Sequence, residues 1–303
     1  MELIKDELGH DSTPAFVGFN LQSESADNLA RSSTVLGRHA YDLAHRNLCH
    51  PVYGLKKLLG RKLDDPVIIS ERGNWPFEIA ADQDGFAAVS IPATKSSTSS
   101  KLYKPEELLS MVLRKVVENV DVHLGVPVKE AVATVPACFG FMDRVRITQL
   151  CDVAGIKVKR FINEAWAAAV AHGFETESKD AVNVIVINVG AGFVDICCIT
   201  IDDTIYEVRS SYGYPLTPDT QKEFSSGNFQ SLEKYVRSIQ IQAQVKIDQI
   251  LLSGGSPILP EIQRAFCNLF VGVAPVIIAN PSTAAIRGAA VYATLLGGDR
   301  NKR

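Results

Sequence analysis

No stretch of this 303-residue sequence stays apolar over the roughly 20 residues that a membrane-crossing helix needs, so no membrane partner is expected. The opening MELIKDELGHDS has no apolar segment of the kind that a secretory leader requires. An excess of charge of one sign is also lacking. The 31 Lys and Arg against 34 Asp and Glu leave a net charge of −3, and without a basic field nucleic acid is not an expected partner. Cysteine is sparse and scattered, at Cys49, Cys138, Cys151, Cys197, Cys198 and Cys267. No two form a Cys-x-x-Cys pair, and most lie in apolar runs, where a free thiol acts as a small hydrophobe. Neither a metal set nor a disulfide framework is expected, and a reducing, cytoplasmic setting is the simplest expectation. His39, His45, His50, His123 and His172 show no metal-ligand spacing either, so no metal site is assigned.

What the chain does have is apolar material, 46% of its residues, enough for a large core. Its length suggests about two domains. Residues 15–20 (AFVGFN) read as a short strand, Pro51–Arg61 as a short helix or turn, and Ile68–Phe86 as short strands and turns. Lys95–Lys101 is a polar loop tip. Pro105 opens a helix with Leu108, Leu109, Val112, Val116, Val120 and Leu124 on one core-facing stripe, and Gly125 stops it. Glu130–Pro136 reads as a buried strand, Asp143–Val153 as a helix, Val158–Ile162 as a strand, and Glu164–His172 as an alanine-rich helix. After a charged linker at Glu175–Asp180, Val182–Ile187 and Val194–Ile201 are two β-rich runs forming a hairpin. Ile205–Arg209 is a third strand, and Tyr212–Asn228 reads as a loop. Helices at Phe229–Ile239, Pro260–Leu269 and Ser282–Leu296 alternate with strands at Ile247–Leu252 and Val276–Ala279.

Four features invite chemistry, each with a plainer alternative. The turn Gly190-Ala191-Gly192 offers main-chain amides to phosphate oxygens, or is a hairpin turn that needs positive φ. Gly254-Gly255-Ser256, after a strand and before a helix, admits a ribose or phosphate near the backbone, or is a glycine turn. Asp195, alone in an apolar run, either holds a metal-bound water or accepts hydrogen bonds from neighbouring turns. Glu164 either reaches a magnesium-bound water or complements a helix dipole.

In order, the segments VATVPACF, FINEAWAAAVAHG, NVIVINVGAGFVDI, LLSGGSPILPEIQ and NPSTAAIRGAAVYA resemble the ATPase domain of the heat-shock protein 70 chaperones. So do the earlier STPAFVGF, GLKKLLGRKLDDPVI, NWPFEI and YKPEELLSMVLRKVVENVDVHLG. The resemblance implies an α/β, actin-like ATPase fold, with two ribonuclease-H-like lobes around a nucleotide cleft. Residues 1–173 would form lobe I and 181–303 lobe II. It implies ATP and Mg2+ as cofactors, Glu164 and Asp195 as catalytic carboxylates, and Gly190, Ala191, Gly192, Gly254, Gly255 and Ser256 as nucleotide-binding residues. Pro136 and Arg144 match the family's relay pair. Other chaperone components or unfolded client proteins would be the partners.

The sequence also departs from the family's pattern. The chain begins after the position of the family's first phosphate hairpin, and it jumps from Gly213-Tyr214-Pro215-Leu216 almost directly to SLEKYVRSI. The first hairpin of lobe I and the outer subdomain of lobe II are therefore expected to be missing. The chain also stops at GGDRNKR, before the family's interdomain linker and peptide-binding domain. Tyr41 stands where the family has its lysine, Asn188 where it has a carboxylate, Phe193 where it has a threonine, and Ile258 where it has an arginine. These changes are expected to weaken or abolish ATP binding and hydrolysis. That leaves a degenerate ATPase, a nucleotide-independent binding or regulatory module, or a truncated product without function.

Overall fold

The computed structural model describes residues 2–20, 34–92, 99–173, 181–203, 205–226, 229–255, 260–270 and 272–298. The linker Glu175–Asp180 and most of the loop tip Lys95–Lys101 lie outside the described residues. Contacts divide the chain into two compact units, one of Glu2–Ala131 with Phe141–Val158 and one of Val132–Gly140 with Lys159–Arg303.

In the first unit, β1 (Val17–Phe19) lies between β2 (Thr34–Leu36) and β3 (His50–Val52), all antiparallel. A second antiparallel sheet joins β4 (Glu78–Ala81), β5 (Ala87–Pro92) and β6 (Ser100–Tyr103). The helices are α1 (Gly37–His45), α2 (Pro66–Glu71), α3 (Pro105–Leu124) and α4 (Phe141–Val153). The segment read as a helix or turn at Pro51–Arg61 holds the end of β3 and a single 3-10 turn at Leu55–Lys57. Helix α2 replaces part of the expected strands and turns, because Asp65 caps it by accepting from Val67 N at 2.8 Å, with Pro66 in the first turn. Of the stripe expected on α3 only Leu108 and Val112 are buried, and Val117, outside that stripe, is buried as well. The C-terminal end of the helix turns to solvent, with Val122 84% exposed.

Next, β7 (Glu130–Val135) and β8 (Lys157–Asn163) make a two-stranded sheet. The sequence reads β7 as buried, but Glu130 is exposed and residues 131–134 are half-buried, leaving Val135 as its buried residue.

The second unit is built on α5 (Glu164–His172) and a five-stranded sheet of order β11-β10-β9-β12-β13. These strands are β9 (Val182–Val189), β10 (Phe193–Asp202), β11 (Ile205–Pro215), β12 (Gln249–Ser253) and β13 (Pro275–Ile277). Hairpin pairing makes β9, β10 and β11 antiparallel, whereas β12 runs parallel to both β9 and β13. Near-continuous apolar strands are what a sheet covered on both faces requires. One face carries Ile185, Ile187, Val194, Ile196 and Cys198 against α7 (Gln230–Ala243) and α8 (Pro260–Leu269). The other carries Val184, Val186, Cys197, Ile199 and Ile201 against α5 and α9 (Ala284–Gly298). Burial pushes the Cys151 and Cys198 thiols up to about 11, so both stay protonated and unreactive.

The expected loop over Tyr212–Asn228 is instead the end of β11 and a helix, α6 (Pro218–Ser226). Pairing with β10 carries the strand on to Pro215, opposite Phe193, and the Thr217 carbonyl accepts from Gln221 N at 2.9 Å to start the helix. Tertiary pairing here overrides turn-forming residues.

Helices α5 and α9 come close enough for backbone to meet backbone at Gly288, beside an edge-on contact of Trp166 with Tyr292 at 5.3 Å between centroids. A Cβ added at Gly288 would lie 1.7 Å from the Ala167 carbonyl oxygen. Gly288→Ala is expected to destabilise the unit by about 1–3 kcal/mol in urea unfolding. Gly297→Ala, where an added Cβ meets no atom within 4 Å and alanine is the better helix former, should not lower stability.

Candidate functional site

Strand registers place four residues in one transverse row of the five-stranded sheet: Ser253 on β12, Asn188 on β9, Asp195 on β10 and Gly213 on β11. The rows on either side are apolar or aromatic, with Leu252, Ile187, Ile196 and Tyr212 before it and Val189, Val194 and Tyr214 after it. The polar row lies near the carboxyl ends of β9 and β12.

Asp195 is 0% exposed, and a carboxylate so placed must be hydrogen-bonded. Its Oδ1 accepts from the main-chain N of Ala137 at 2.6 Å, in the turn that follows β7. That turn is closed by Phe139 N donating to the Pro136 carbonyl at 3.0 Å. Gly213, opposite Asp195, has no room for a side chain. A Cβ there would lie 2.6 Å from Asp195 Oδ1 and 2.8 Å from Cys138 N. Asp195 therefore anchors the Pro136 turn to the sheet.

Asn188 is buried, and its Nδ2 donates to Glu164 Oε2 at 3.1 Å. Glu164 opens α5, where the Asn163 side chain caps the helix by accepting from Ala165 N at 3.0 Å. The carboxylate thus sits at the positive end of a helix and accepts a charge-assisted hydrogen bond from the adjacent strand.

The turn between β9 and β10 is closed by Gly190 N donating to the Phe193 carbonyl at 3.0 Å. Neither glycine of this turn has positive φ, so the left-handed conformation expected of a plain hairpin turn is not what selects them. The Phe193 ring is buried and packs edge-on against Phe139, with centroids 5.6 Å apart. Gly254 is different. Its φ is +94°, its N donates to the Pro281 carbonyl at 2.9 Å, and a Cβ would lie 2.2 Å from the Val189 carbonyl oxygen. Gly254 is required by close backbone packing, whereas Gly255 has open space beside it. Ser256 and Ile258 lie outside the described residues.

Glu164, Asp195, Pro136 and the two glycine turns all belong to the unit that holds the five-stranded sheet, whereas Arg144 and Tyr41 belong to the other. Tyr41 packs there edge-on against Phe16, with Arg38 5.2 Å from its ring centroid. Among the described residues, no group of three or more His, Cys, Asp or Glu is placed to hold a metal ion, and no helix is long and apolar enough to cross a membrane. Sequence reasoning missed Ala137, Gly213 and Ser253. The one available signal was a polar or glycine residue at corresponding ends of successive strands, and it becomes visible only once the register is known.

The sequence matches the family described as Hsp70 protein over residues 1–214. Heat shock cognate 70 kDa protein 3 of Dictyostelium discoideum is 27% identical over 378 residues, covering 100% of this chain and 58% of that protein. Heat shock 70 kDa protein 2 of Paracoccidioides lutzii is 27% identical over 376 residues, covering 100% of this chain and 55% of that protein. A heat shock 70 kDa protein of Neurospora crassa is 26% identical over 375 residues, covering 100% of this chain and 56% of that protein. The chain spans little more than half the length of these relatives. All three alignments are longer than the chain, so the relatives carry residues with no counterpart here. The chain belongs to the heat-shock protein 70 family of chaperones, and its α/β architecture is the actin-like ATPase fold of that family's nucleotide-binding domain.

Proposed function

We propose that this chain is a heat-shock protein 70-type domain in which ATP hydrolysis is lost and nucleotide binding weakened, and that it acts as a nucleotide-independent binding or regulatory module. The observation that carries this reading is the hydrogen bond from Asn188 Nδ2 to Glu164 Oε2. Magnesium takes oxygen ligands in near-octahedral geometry, mostly from carboxylates and waters. Asn188 presents an N–H toward Glu164, Asp195 Oδ1 is committed to Ala137 N, and Phe193 buries a ring where the resemblance has a hydroxyl. These residues do not fit a magnesium-bound nucleotide. Ala191 and Tyr41 support the same reading, since neither supplies what the family's pattern has at its position. Four lost charge-assisted hydrogen bonds at about 1.5 kcal/mol each amount to roughly 6 kcal/mol, or over four decades of affinity.

On this proposal Gly190, Ala191, Gly192, Gly254, Gly255 and Ser256 are the remnant of a nucleotide cradle, Glu164 and Asp195 the remnant of its catalytic carboxylates, and Pro136 and Arg144 of its relay. Residues 1–173 and 181–303 correspond to the family's two lobes. Other chaperone components or unfolded clients in the cytoplasm are the partners, and with a net charge of −3 nucleic acid is not an expected one.

Calorimetry with Mg-ATP at tens of micromolar protein is expected to give no saturable heat, and a saturable, magnesium-dependent signal overturns the reading. Asn188→Asp provides a second test by setting two carboxylates about 3 Å apart, so that one must hold a proton or the pair must bind a cation. In EDTA at neutral pH the variant is expected to be less stable than wild type by about 1–3 kcal/mol. The raised carboxyl pKa fixes the sign: the deficit is full above that value and shrinks as the pH falls through it. Millimolar Mg2+ should raise the melting temperature of the variant and leave that of the wild type unchanged.

A further inference from the structure

We propose that residues 2–13 form a pH-sensitive strap over α1 and α3, which tightens when its histidine contacts are protonated and loosens when they are neutral. The segment contains neither helix nor strand, and Asp6 is its only buried residue. Leu3 and Ile4 are half-buried and Leu8 is exposed, so charge carries much of the attachment. The Asp6 side chain organises a tight turn. Its Oδ1 accepts from Leu8 N at 3.0 Å and from His10 N at 2.8 Å, and Gly9 N donates to the Asp6 carbonyl at 3.0 Å. Asp6 Oδ2 faces Arg38 of α1, 3.7 Å from its Nε, and the Ser12 carbonyl accepts from Arg38 Nη2 at 3.4 Å. Glu7 reaches both helices. It lies 3.4 Å from His39 Nδ1 of α1 and 3.9 Å from Lys115 Nζ of α3, and it accepts from Asn119 Nδ2 at 2.9 Å. All of these residues belong to the first unit.

Histidine recurs at these contacts. Three of the segment's four carboxylates each meet one imidazole: Glu2 meets His123 Nε2 of α3 at 3.4 Å, Asp6 meets His10 Nδ1 at 3.3 Å, and Glu7 meets His39. The fourth, Asp11, lies 3.8 Å from Lys5 Nζ within the segment. An imidazole ordinarily gains its second proton near about pH 6.5, and a charged donor makes a stronger hydrogen bond to a carboxylate than a neutral one does. Burial raises the Asp6 carboxyl, but the N–H groups of His10 and Leu8 outweigh it and hold it below the usual value. Burial raises Glu7 likewise, and its own main-chain N–H, Asn119 and Lys115 bring it below the usual value. Both carboxylates therefore stay charged across the range in which imidazoles titrate. The strap is tightest at mildly acidic pH, looser above neutrality, and lost only where the carboxylates themselves take up protons. This device does not depend on nucleotide binding.

Hydrogen exchange of the Leu8, Gly9 and His10 amides in the whole chain, corrected for the intrinsic pH dependence of exchange, tests the strap. Three pairs, each with an exposed imidazole, are together expected to raise protection about threefold to tenfold between about pH 8 and about pH 6. Replacing all three imidazoles, by His10→Asn, His39→Asn and His123→Asn, should abolish the rise and leave protection at the alkaline end as in wild type. His39→Asn alone, at a side chain 59% exposed, should remove part of the rise, and it decides the matter if the triple variant fails to fold. Protection that does not rise on acidification, or a rise that these substitutions leave intact, overturns the proposal.

Discussion

A carboxylate with no solvent exposure, in a strand otherwise built of Val, Ile and Cys, has to find a donor, and Asp195 finds it in the main-chain N–H of Ala137. Much around the site depends on that one hydrogen bond. It ties the Pro136–Phe139 turn to the middle of the sheet and leaves β11 no choice but glycine at position 213. It also holds Phe139 where its ring meets the edge of Phe193. Removing the acceptor would leave a buried N–H unpaired, a cost of about 1–3 kcal/mol. The hydrogen bond is therefore an architectural element.

The neighbouring position in the row is settled by a different balance. Asn188 and Glu164 make a neutral donor–anion pair that is complete without a cation. Two carboxylates there would need a metal, a proton or separation. An amide beside Glu164 donates a hydrogen bond there, so no proton or cation is needed to relieve repulsion. Gly254 shows that nucleotide contact is not the only reason for glycine in such a loop, since the approach of the Val189 carbonyl already excludes a side chain.

Strands and helices whose own pattern is strong were legible in the sequence. α5 matches its expected limits, and the β9–β10 hairpin follows from two β-rich runs around a short glycine turn. Elsewhere the deciding forces are not local. The loop expected after Tyr212 is a strand because β10 continues to pair with it, and α2 was hidden by its shortness although Asp65-Pro66 announces its start. Of the site, Glu164, Asp195 and the glycine turns were each legible as residue types. The row that sets Asp195 beside Asn188, Ser253 and Gly213 was not, because alignment across four strands depends on registers that no single strand specifies. Nor could the sequence tell which carboxylate oxygen meets which amide.

The closeness of Gly288 to the Ala167 carbonyl has a mechanical meaning as well. Helices separated by side chains can slide a little, because rotamers repack as they move. At Gly288 backbone rests on backbone, so no rotamer at that contact can absorb a shift. α5 and α9 must then move as one stiff brace across the same face of the sheet, and Glu164 travels with them. Any rearrangement that separates Glu164 from Asn188 has to bend β9 or carry the whole helix pair, and the site is rigid along that direction.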